Sequence, residues 1–401
     1  VVLAFYIQGT CSAIRVREAF ATVLAQQPAL RCSFTLNAHG QWRRTQHVID
    51  DFPLPFHVIN LEPQNQSDDT VTDLVVQASL TAFDLSSPPL IRATYIQCPE
   101  ANDVLIITAH HIAFDGWSGA VLMEQLCAHY QAPRGSVAPE QIVHCLSYSD
   151  YTDAQHQRFT EKLLDKHLDF WRQALEHLPE PFALRGAGQR PDAFTFRSAV
   201  IPLNLDAQYP AIEHLCNRSG FSLYTIILSA FLVALARNTG TEDLYVRSPV
   251  ANRIDAALES VVGYFVHPMV IRPKLSHWSP SLHLLEQINH CVLDAYGHAL
   301  LPPHLFEANC SPRSSAYGSR FPYWYNHHNY PSRQRHLGDA PLRGIGVPST
   351  GIKTDVSLNT VRTDSGLIGS LSYYRDGISQ VNAQALLADF HQALNQLLTI
   401  A

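Results

Sequence analysis

The stretch Ala109-His110-His111-Ile112-Ala113-Phe114-Asp115-Gly116-Trp117-Ser118 marks a change from strand to helix within the first third of the chain. The apolar run Asp103 to Ala109 before it is typical of a strand buried inside a sheet. After it, apolar residues recur at helical spacing from Gly116 to Tyr130. Asp115 stands at the expected helix N-cap, where a carboxylate accepts backbone N–H bonds. The pattern predicts two histidines at a strand end, just before a helix.

The residue types in this stretch fit proton chemistry at neutral pH. An imidazole, whose ordinary pKa is near 6.5, can take a proton from an amine, alcohol or thiol nucleophile. Gly116 would let the backbone approach a ligand closely, because it has no Cβ. A metal site is disfavoured, since H-x-x-x-D is not the H-E-x-x-H pattern and no third ligand stands at a recognisable spacing. The alternative is structural: two hydrogen-bonded histidines and a capping aspartate.

The rest of the chain alternates strand and helix patterns and predicts an α/β architecture in two lobes. We expect an N-terminal lobe over residues 1–178, ending in a long linker helix from Gln155 to His177, and a C-terminal lobe over 179–401. The segments Arg31 to Leu36 and Gln41 to Val48 are predicted to be strands of a hairpin that turns around His39-Gly40. The segment Pro302 to Pro331, rich in proline and aromatic residues, is predicted to be irregular.

Composition narrows the class of protein. The 401 residues carry a formal net charge of −7, spread along the chain, which argues against binding nucleic acid. No apolar run approaches the roughly 18 to 20 residues of a transmembrane helix. The 8 cysteines include no C-x-x-C pair, which favours reduced thiols in a cytoplasmic protein. The chain starts at Val1, within a strand-like run and without a signal peptide, so we interpret it as a piece of a longer protein.

Together with Trp117-Ser118, the histidine stretch resembles the HHxxxDG signature of condensation domains of nonribosomal peptide synthetases, in the chloramphenicol acetyltransferase-like superfamily. Other segments along the whole chain support the resemblance. They are Leu30-Arg31-Cys32-Ser33-Phe34 ("LRTxF"), Phe83-Asp84-Leu85, Tyr148-Ser149-Asp150-Tyr151 ("YxDF"), Pro249-Val250-Ala251-Asn252-Arg253 ("PVANR"), Val262-Gly263-Tyr264-Phe265-Val266-His267 ("GxFVN") and Lys353-Thr354-Asp355-Val356-Ser357-Leu358. His267 replaces the asparagine that is usual in the family.

The resemblance implies a fold of two acyltransferase-like lobes in a V arrangement, with a tunnel between them. By position, His111 would contact the acceptor amine as a base or an orienting group, and Gly116 would line the tunnel. His110 would stabilise the loop. Asp115 would be structural, in an ion pair with Arg31. Trp117 would either pack in the core or line the tunnel. Ser118, His267 and Tyr325 are further tunnel candidates, with packing in the core or at an interface as the alternative for His267 and Tyr325.

The resemblance also implies a function. A donor aminoacyl or peptidyl thioester and an acceptor aminoacyl thioester, both on 4'-phosphopantetheine arms of carrier domains, would condense to a peptide bond. We expect carrier domains and a neighbouring adenylation domain as partners, and we expect the protein to be a monomer. We expect no bound cofactor or metal and no binding to nucleic acid or membranes. Alternatives are an epimerisation domain, an ester-forming acyltransferase and a non-catalytic docking module.

Overall fold

The computed structural model describes residues 1–133, 146–179, 182–188, 194–273, 277–310, 321–329, 335–347, 351–363 and 366–400. Its strands, in chain order, are β1 (Val2–Ile7), β2 (Cys32–Leu36), β3 (Trp42–Gln46), β4 (Phe56–Asn60), β5 (Ile91–Gln97), β6 (Asp103–Ala109), β7 (Ser198–Asn204), β8 (Val246–Val250), β9 (His267–Ile271), β10 (Tyr323–His328), β11 (His336–Leu337), β12 (Ala340–Gly344), β13 (Val356–Arg362) and β14 (Leu367–Tyr374). Its helices are α1 (Ala13–Gln26), α2 (Asp68–Leu80), α3 (Gly116–Gln131), α4 (Tyr148–Arg158), α5 (Glu161–Ala174), α6 (Tyr209–Ser219), α7 (Leu223–Thr239), α8 (Leu282–His298), α9 (Pro303–Asn309) and α10 (Gln380–Leu398).

The chain forms two compact units, and their boundaries differ from the predicted division at residue 178. The first unit comprises Val1–Arg158, Arg253–Phe265 and Tyr330–Pro348, and the second comprises the rest of the chain. The two returning segments belong to the first unit for identifiable reasons. The strand β12 pairs with β1, and the segment Arg253–Phe265 hydrogen-bonds to the residues around Asp115.

The first unit is built on a six-stranded sheet in the order β11-β12-β1-β6-β5-β4. The strand β6 is antiparallel to both of its neighbours, β1 and β5. Its residues alternate between two apolar clusters, because Leu105 and Ile107 pack in one and Val104 and Ile106 pack in the other. Burial on both faces explains the continuous apolar run of this strand. The strand therefore holds the histidine stretch that follows it on a rigid base.

The second unit has its own six-stranded sheet, in the order β7-β14-β13-β10-β8-β9. The helix α7 is apolar on all sides and lies almost wholly buried, with α10 packed against it. An all-round apolar helix is stable only inside a core, so α7 marks the centre of this unit. The predicted α/β architecture is confirmed in both units.

The segment predicted to be irregular, Pro302 to Pro331, contains the helix α9 and the strand β10. The strand β10 pairs in parallel with β13 and with β8 and is central in its sheet. Tyr323 and Tyr325 are buried, whereas Trp324 and Asn326 are only partly buried. This alternation has the period of a strand. On the sequence alone, the prolines around the strand favour an irregular segment. The residues 311–320 and 330–331 lie outside the described part of the chain.

Two other sequence predictions have different outcomes. The predicted hairpin is confirmed, with β2 antiparallel to β3. The single long helix predicted from Gln155 to His177 is wrong. The helix α4 ends at Arg158, and α5 begins at Glu161 after Thr160, which has the extended backbone conformation of an N-cap. Threonine is common at this position of a helix, although the Thr160 side chain makes no capping hydrogen bond here.

Among the described helices, no single one is long and apolar enough to cross a membrane. The pair α6 and α7 passes that test together by length and composition, with a bend of 110° between them.

Gly369 in β14 supplies a test of the second sheet. A Cβ at this position would overlap the backbone carbonyl of Asn359 in β13, so the two paired strands would have to separate. We expect Gly369→Ala to lower the free energy of unfolding by about 2–4 kcal/mol in urea titrations. The control is Gly297→Ala in α8, where a Cβ meets no atom within 4 Å and alanine favours the helix. Equal stabilities of the two variants would contradict this account of the sheet.

Candidate functional site

The histidine stretch occupies the connection between β6 and α3 in the first unit. The strand ends at Ala109, and His111–Ala113 form a short 3-10 turn before the helix begins at Gly116. The predicted N-cap is confirmed, because Asp115 Oδ1 accepts the Ser118 N–H at 2.8 Å. Both histidines lie just beyond the strand, so the turn sets the direction of each ring.

His110 holds the turn. Its ring Nδ1 accepts the backbone N–H of Ile112 at 3.1 Å, and the backbone N–H of His110 donates to the carbonyl of Leu90 at 2.9 Å. The ring also meets Phe83 edge-on, with centroids 6.2 Å apart. These contacts fit the supporting role expected for His110.

His111 is the exposed histidine of the pair. Protein atoms still surround enough of its ring for desolvation to lower its pKa below the ordinary histidine value. The backbone around the ring and the Asp115 carboxylate act in the opposite direction and raise the pKa. An accessible imidazole with a lowered pKa is neutral at pH 7, and a neutral imidazole has a nitrogen lone pair for a proton.

Asp115 pairs with Arg253, so the predicted ion pair with Arg31 is wrong. Arg253 Nη1 lies 2.9 Å from Asp115 Oδ2, and Nη2 lies 3.1 Å from Oδ1. The side chain of Asp115 is fully buried and that of Arg253 is 2% exposed. The backbone N–H of Phe265 donates to Asp115 Oδ2 at 3.1 Å. One carboxylate thus caps α3 and binds the segment Arg253–Phe265.

Arg31 hydrogen-bonds to backbone carbonyls. Its Nε donates to Leu24 at 3.0 Å, Nη2 donates to Ala25 at 3.2 Å, and Nη1 donates to His47. These carbonyls lie at the C-terminal end of α1 and just after β3, where a guanidinium satisfies carbonyls that lack helical partners. Arg31 therefore joins α1 to the hairpin.

Ser118 and Trp117 help to bind the same returning segment. The Ser118 hydroxyl is fully buried, 2.8 Å from both Asp115 Oδ1 and the Gly263 carbonyl, and it accepts the Gly263 N–H at 3.0 Å. Its burial contradicts a tunnel-lining role. Trp117 is partly buried and donates from Nε1 to the Glu259 carbonyl at 2.8 Å. Gly116 is partly buried at the first position of α3.

The two other tunnel candidates lie in the core of the second unit, which favours the alternative of core packing. His267 is 5% exposed, and its Nδ1 is 3.0 Å from the Ala299 carbonyl. Tyr325 is fully buried, and its hydroxyl lies 3.3 Å from Thr360 Oγ1. Tyr325 is one of the buried side chains that alternate along β10, and it packs in the apolar core of this unit.

Sequence reasoning missed two residues of the site. Arg253 ends the "PVANR" segment, but its distance of 138 positions from Asp115 hid the ion pair. Tyr264 lies edge-on to His111, with ring centroids 5.3 Å apart and an interplanar angle of 81°. Both residues lie in segments that resemble family motifs, but such a segment does not indicate which distant residue each side chain contacts. Within the described residues, no three His, Cys, Asp or Glu side chains are arranged to hold a metal ion.

Comparison with known proteins agrees with the resemblance. The family model described as "Condensation domain" matches residues 1–400. The chain belongs to this family. Similar curated proteins are large synthetases: a probable non-canonical nonribosomal peptide synthetase, CymA, of Salinispora arenicola (28% identical) and malpinin synthetase of Mortierella alpina (27% identical).

The condensation domain covers a small part of these relatives. The alignments take in 98% of this chain with CymA and 92% with malpinin synthetase, but only 5% of either relative. Among solved structures, the X-domain from teicoplanin biosynthesis has a TM-score of 0.85 and 21% identity, covering 99% of this chain and 90% of that one. This similarity shows that the chain shares the mixed α/β fold of that structure.

A double-mutant cycle tests the corrected ion pair. We expect a coupling energy of about 1–3 kcal/mol in the free energy of unfolding between Asp115→Asn and Arg253→Gln, because each removes the other's buried partner. Between Asp115→Asn and Arg31→Gln we expect a coupling below about 0.5 kcal/mol. The reverse order of the two coupling energies would restore the pairing first predicted.

His267 makes the second unit sensitive to acid. Burial lowers its pKa to about 4, whereas in the unfolded chain it is near 6.5. Between these values the unfolded state binds more protons, so stability falls as the pH drops below about 6.5, by an amount on the order of 3 kcal/mol. We expect His267→Asn to reduce this loss in urea titrations between pH 7 and pH 4.5.

The control for this titration is His283→Asn, at an exposed position of the same unit. His327, whose pKa is also lowered to about 4 by burial, contributes separately and remains in both variants. An unchanged acid sensitivity in His267→Asn would contradict the assignment.

Proposed function

We propose that this domain forms a peptide bond between a donor aminoacyl or peptidyl thioester and the amine of an acceptor aminoacyl thioester. The observation that supports the proposal is His111: an accessible imidazole, neutral at pH 7, on a loop whose backbone is fixed by a buried ion pair. Membership of the condensation family supports the same reaction.

In the proposed reaction the acceptor nitrogen attacks the carbonyl carbon of the donor thioester, and the bond between that carbon and sulfur breaks. The amine loses one proton and the sulfur leaves as a thiol, so the proton balance closes within the two substrates. His111 accepts a hydrogen bond from the amine and takes or guides its proton. Because aminolysis of a thioester is downhill, alignment of the two reactants supplies much of the acceleration.

Gly116 would allow close approach of substrate at the start of α3, since glycine has no Cβ. His110, Asp115 and Arg253 act as supports that keep the turn in place. They contact the loop and its neighbours through hydrogen bonds. They hold His111 in position and do not touch the reacting atoms in this proposal.

The proposed partners follow from the relatives. Their great length compared with this chain supports a place in a larger synthetase, with carrier domains that present both substrates on 4'-phosphopantetheine arms and a neighbouring adenylation domain. We also propose a cytoplasmic location, which the absence of C-x-x-C pairs among the cysteines favours, and a monomeric domain.

The test is a reconstituted condensation. Donor and acceptor carrier domains are loaded with aminoacyl-phosphopantetheine, the protein is added, and dipeptidyl carrier is measured by mass spectrometry. We expect product with the unaltered chain and a loss of about 10²-fold or more in His111→Ala, the scale of a positioned base. His39→Ala, at an exposed position of the hairpin turn, is the matched control and should keep full activity.

Each other outcome has a clear meaning. No product with any matched pair of carriers would contradict peptide-bond formation. Undiminished product in His111→Ala would remove His111 from the reaction. Release of a racemised aminoacyl group from a single carrier would support an epimerisation domain.

A further inference from the structure

The ring of Tyr264 lies against the imidazole of His111. The two centroids are 5.3 Å apart and the planes meet at 81°, the edge-to-face arrangement that aromatic rings prefer. Tyr264 is partly buried, whereas His111 is exposed. One side of the imidazole therefore contacts the ring of Tyr264, although His111 as a whole remains accessible to solvent.

Both neighbours of Tyr264 in the chain are tied down. Gly263 donates its N–H to Ser118 Oγ at 3.0 Å, and its carbonyl accepts the Asp115 N–H at 3.2 Å. Phe265 donates its N–H to Asp115 Oδ2 at 3.1 Å. With the residue on each side fixed to the first turn of α3, the backbone of Tyr264 has little freedom. The backbone that carries the Tyr264 ring is therefore held by contacts within the protein.

Tyr148 adds a third tie to the same residue. Its hydroxyl donates to the carbonyl of Tyr264 at 2.7 Å. Its ring lies so close to Gly263 that a Cβ at this position would overlap it, which explains the glycine. The rings of Tyr148 and Phe265 meet edge-on at 5.1 Å. Tyr148 thus anchors the backbone of Tyr264 through a contact separate from those of Asp115.

We propose that Tyr264 is a positioning residue, whose ring fixes the orientation of the His111 imidazole. The Asp115–Arg253 ion pair holds the segment that carries Tyr264, and it thereby restricts the His111 ring through Tyr264. The proposal deepens the function proposed above and rests on it for its effect on rate. Its structural part, the control of the His111 ring, holds whatever reaction the domain performs.

The covering ring also affects the charge of His111. Desolvation is the largest cause of its lowered pKa, and Tyr264 is an uncharged group packed against it. Among charged side chains, the Asp115 carboxylate acts on the ring and raises its pKa, and this carboxylate is paired with Arg253. Removal of the Tyr264 ring would admit water to the imidazole and move its pKa toward the ordinary value near 6.5.

The test compares Tyr264→Ala, Tyr264→Leu and Tyr264→Phe with the unaltered chain. The first readout is the rate at which diethyl pyrocarbonate modifies His111, followed by peptide mass spectrometry from pH 5 to pH 8. Since only the neutral imidazole reacts, the profile gives the pKa of His111 without any condensation. We expect an upward shift in Tyr264→Ala and Tyr264→Leu, and an unchanged profile in Tyr264→Phe, which keeps the ring.

The second readout is condensation itself. We expect Tyr264→Ala to lower kcat by about 10-fold to 100-fold, the scale of a misplaced catalytic group, with KM for the carriers unchanged. Tyr264→Phe should stay within about two-fold, because the proposal assigns the effect to the ring. Tyr296→Ala, where a tyrosine is 57% exposed on α8, is the matched control for both readouts.

The outcomes separate this inference from the proposed function. An unchanged His111 profile in Tyr264→Ala and Tyr264→Leu would overturn the positioning role, as would a loss in Tyr264→Phe equal to that in Tyr264→Ala. A shifted profile together with no condensation by the unaltered chain would overturn only the proposed reaction. If Tyr264→Ala does not fold by circular dichroism, the Leu and Phe variants decide the question.

Discussion

The buried ion pair between Asp115 and Arg253 is the constraint on which the candidate site depends. Removal of two charges from water is costly. The bidentate geometry of the pair and further hydrogen bonds to its charged groups offset this cost. Asp115 also accepts N–H bonds from Ser118 and Phe265, while Arg253 packs over the ring of Phe265 at 4.2 Å. One carboxylate thereby joins a helix start to a segment far away in sequence.

This arrangement explains how an exposed histidine can have a defined geometry. Loops at a protein surface are usually mobile, but the turn that carries His111 begins on a strand buried on both faces and ends on a capped helix. Tyr264 then restricts the ring itself. A catalytic group must be held in place by its neighbours, because a misplaced group lowers the reaction rate.

Local patterns in the sequence predict much of the fold, and long-range pairings are beyond them. The apolar run of β6, the cap at Asp115 and the hairpin of β2 and β3 follow from spacing within a few residues, and they are confirmed. The partner of Asp115 is 138 residues away, and no spacing rule connects the two. The strand β10 was not predicted, because the prolines and aromatic residues around it favour an irregular segment over the two-residue period of a strand.

Hydrogen exchange at the backbone N–H groups of Gly263 and Phe265 tests the central claim most directly. These groups donate to Ser118 and Asp115 inside the ion-pair network, so we expect slow exchange in the unaltered chain. In Arg253→Gln we expect fast exchange in peptides that cover 261–265 and 110–118, with β6 still protected. Equal protection of these peptides in both proteins would contradict the claim that the buried ion pair fixes the site.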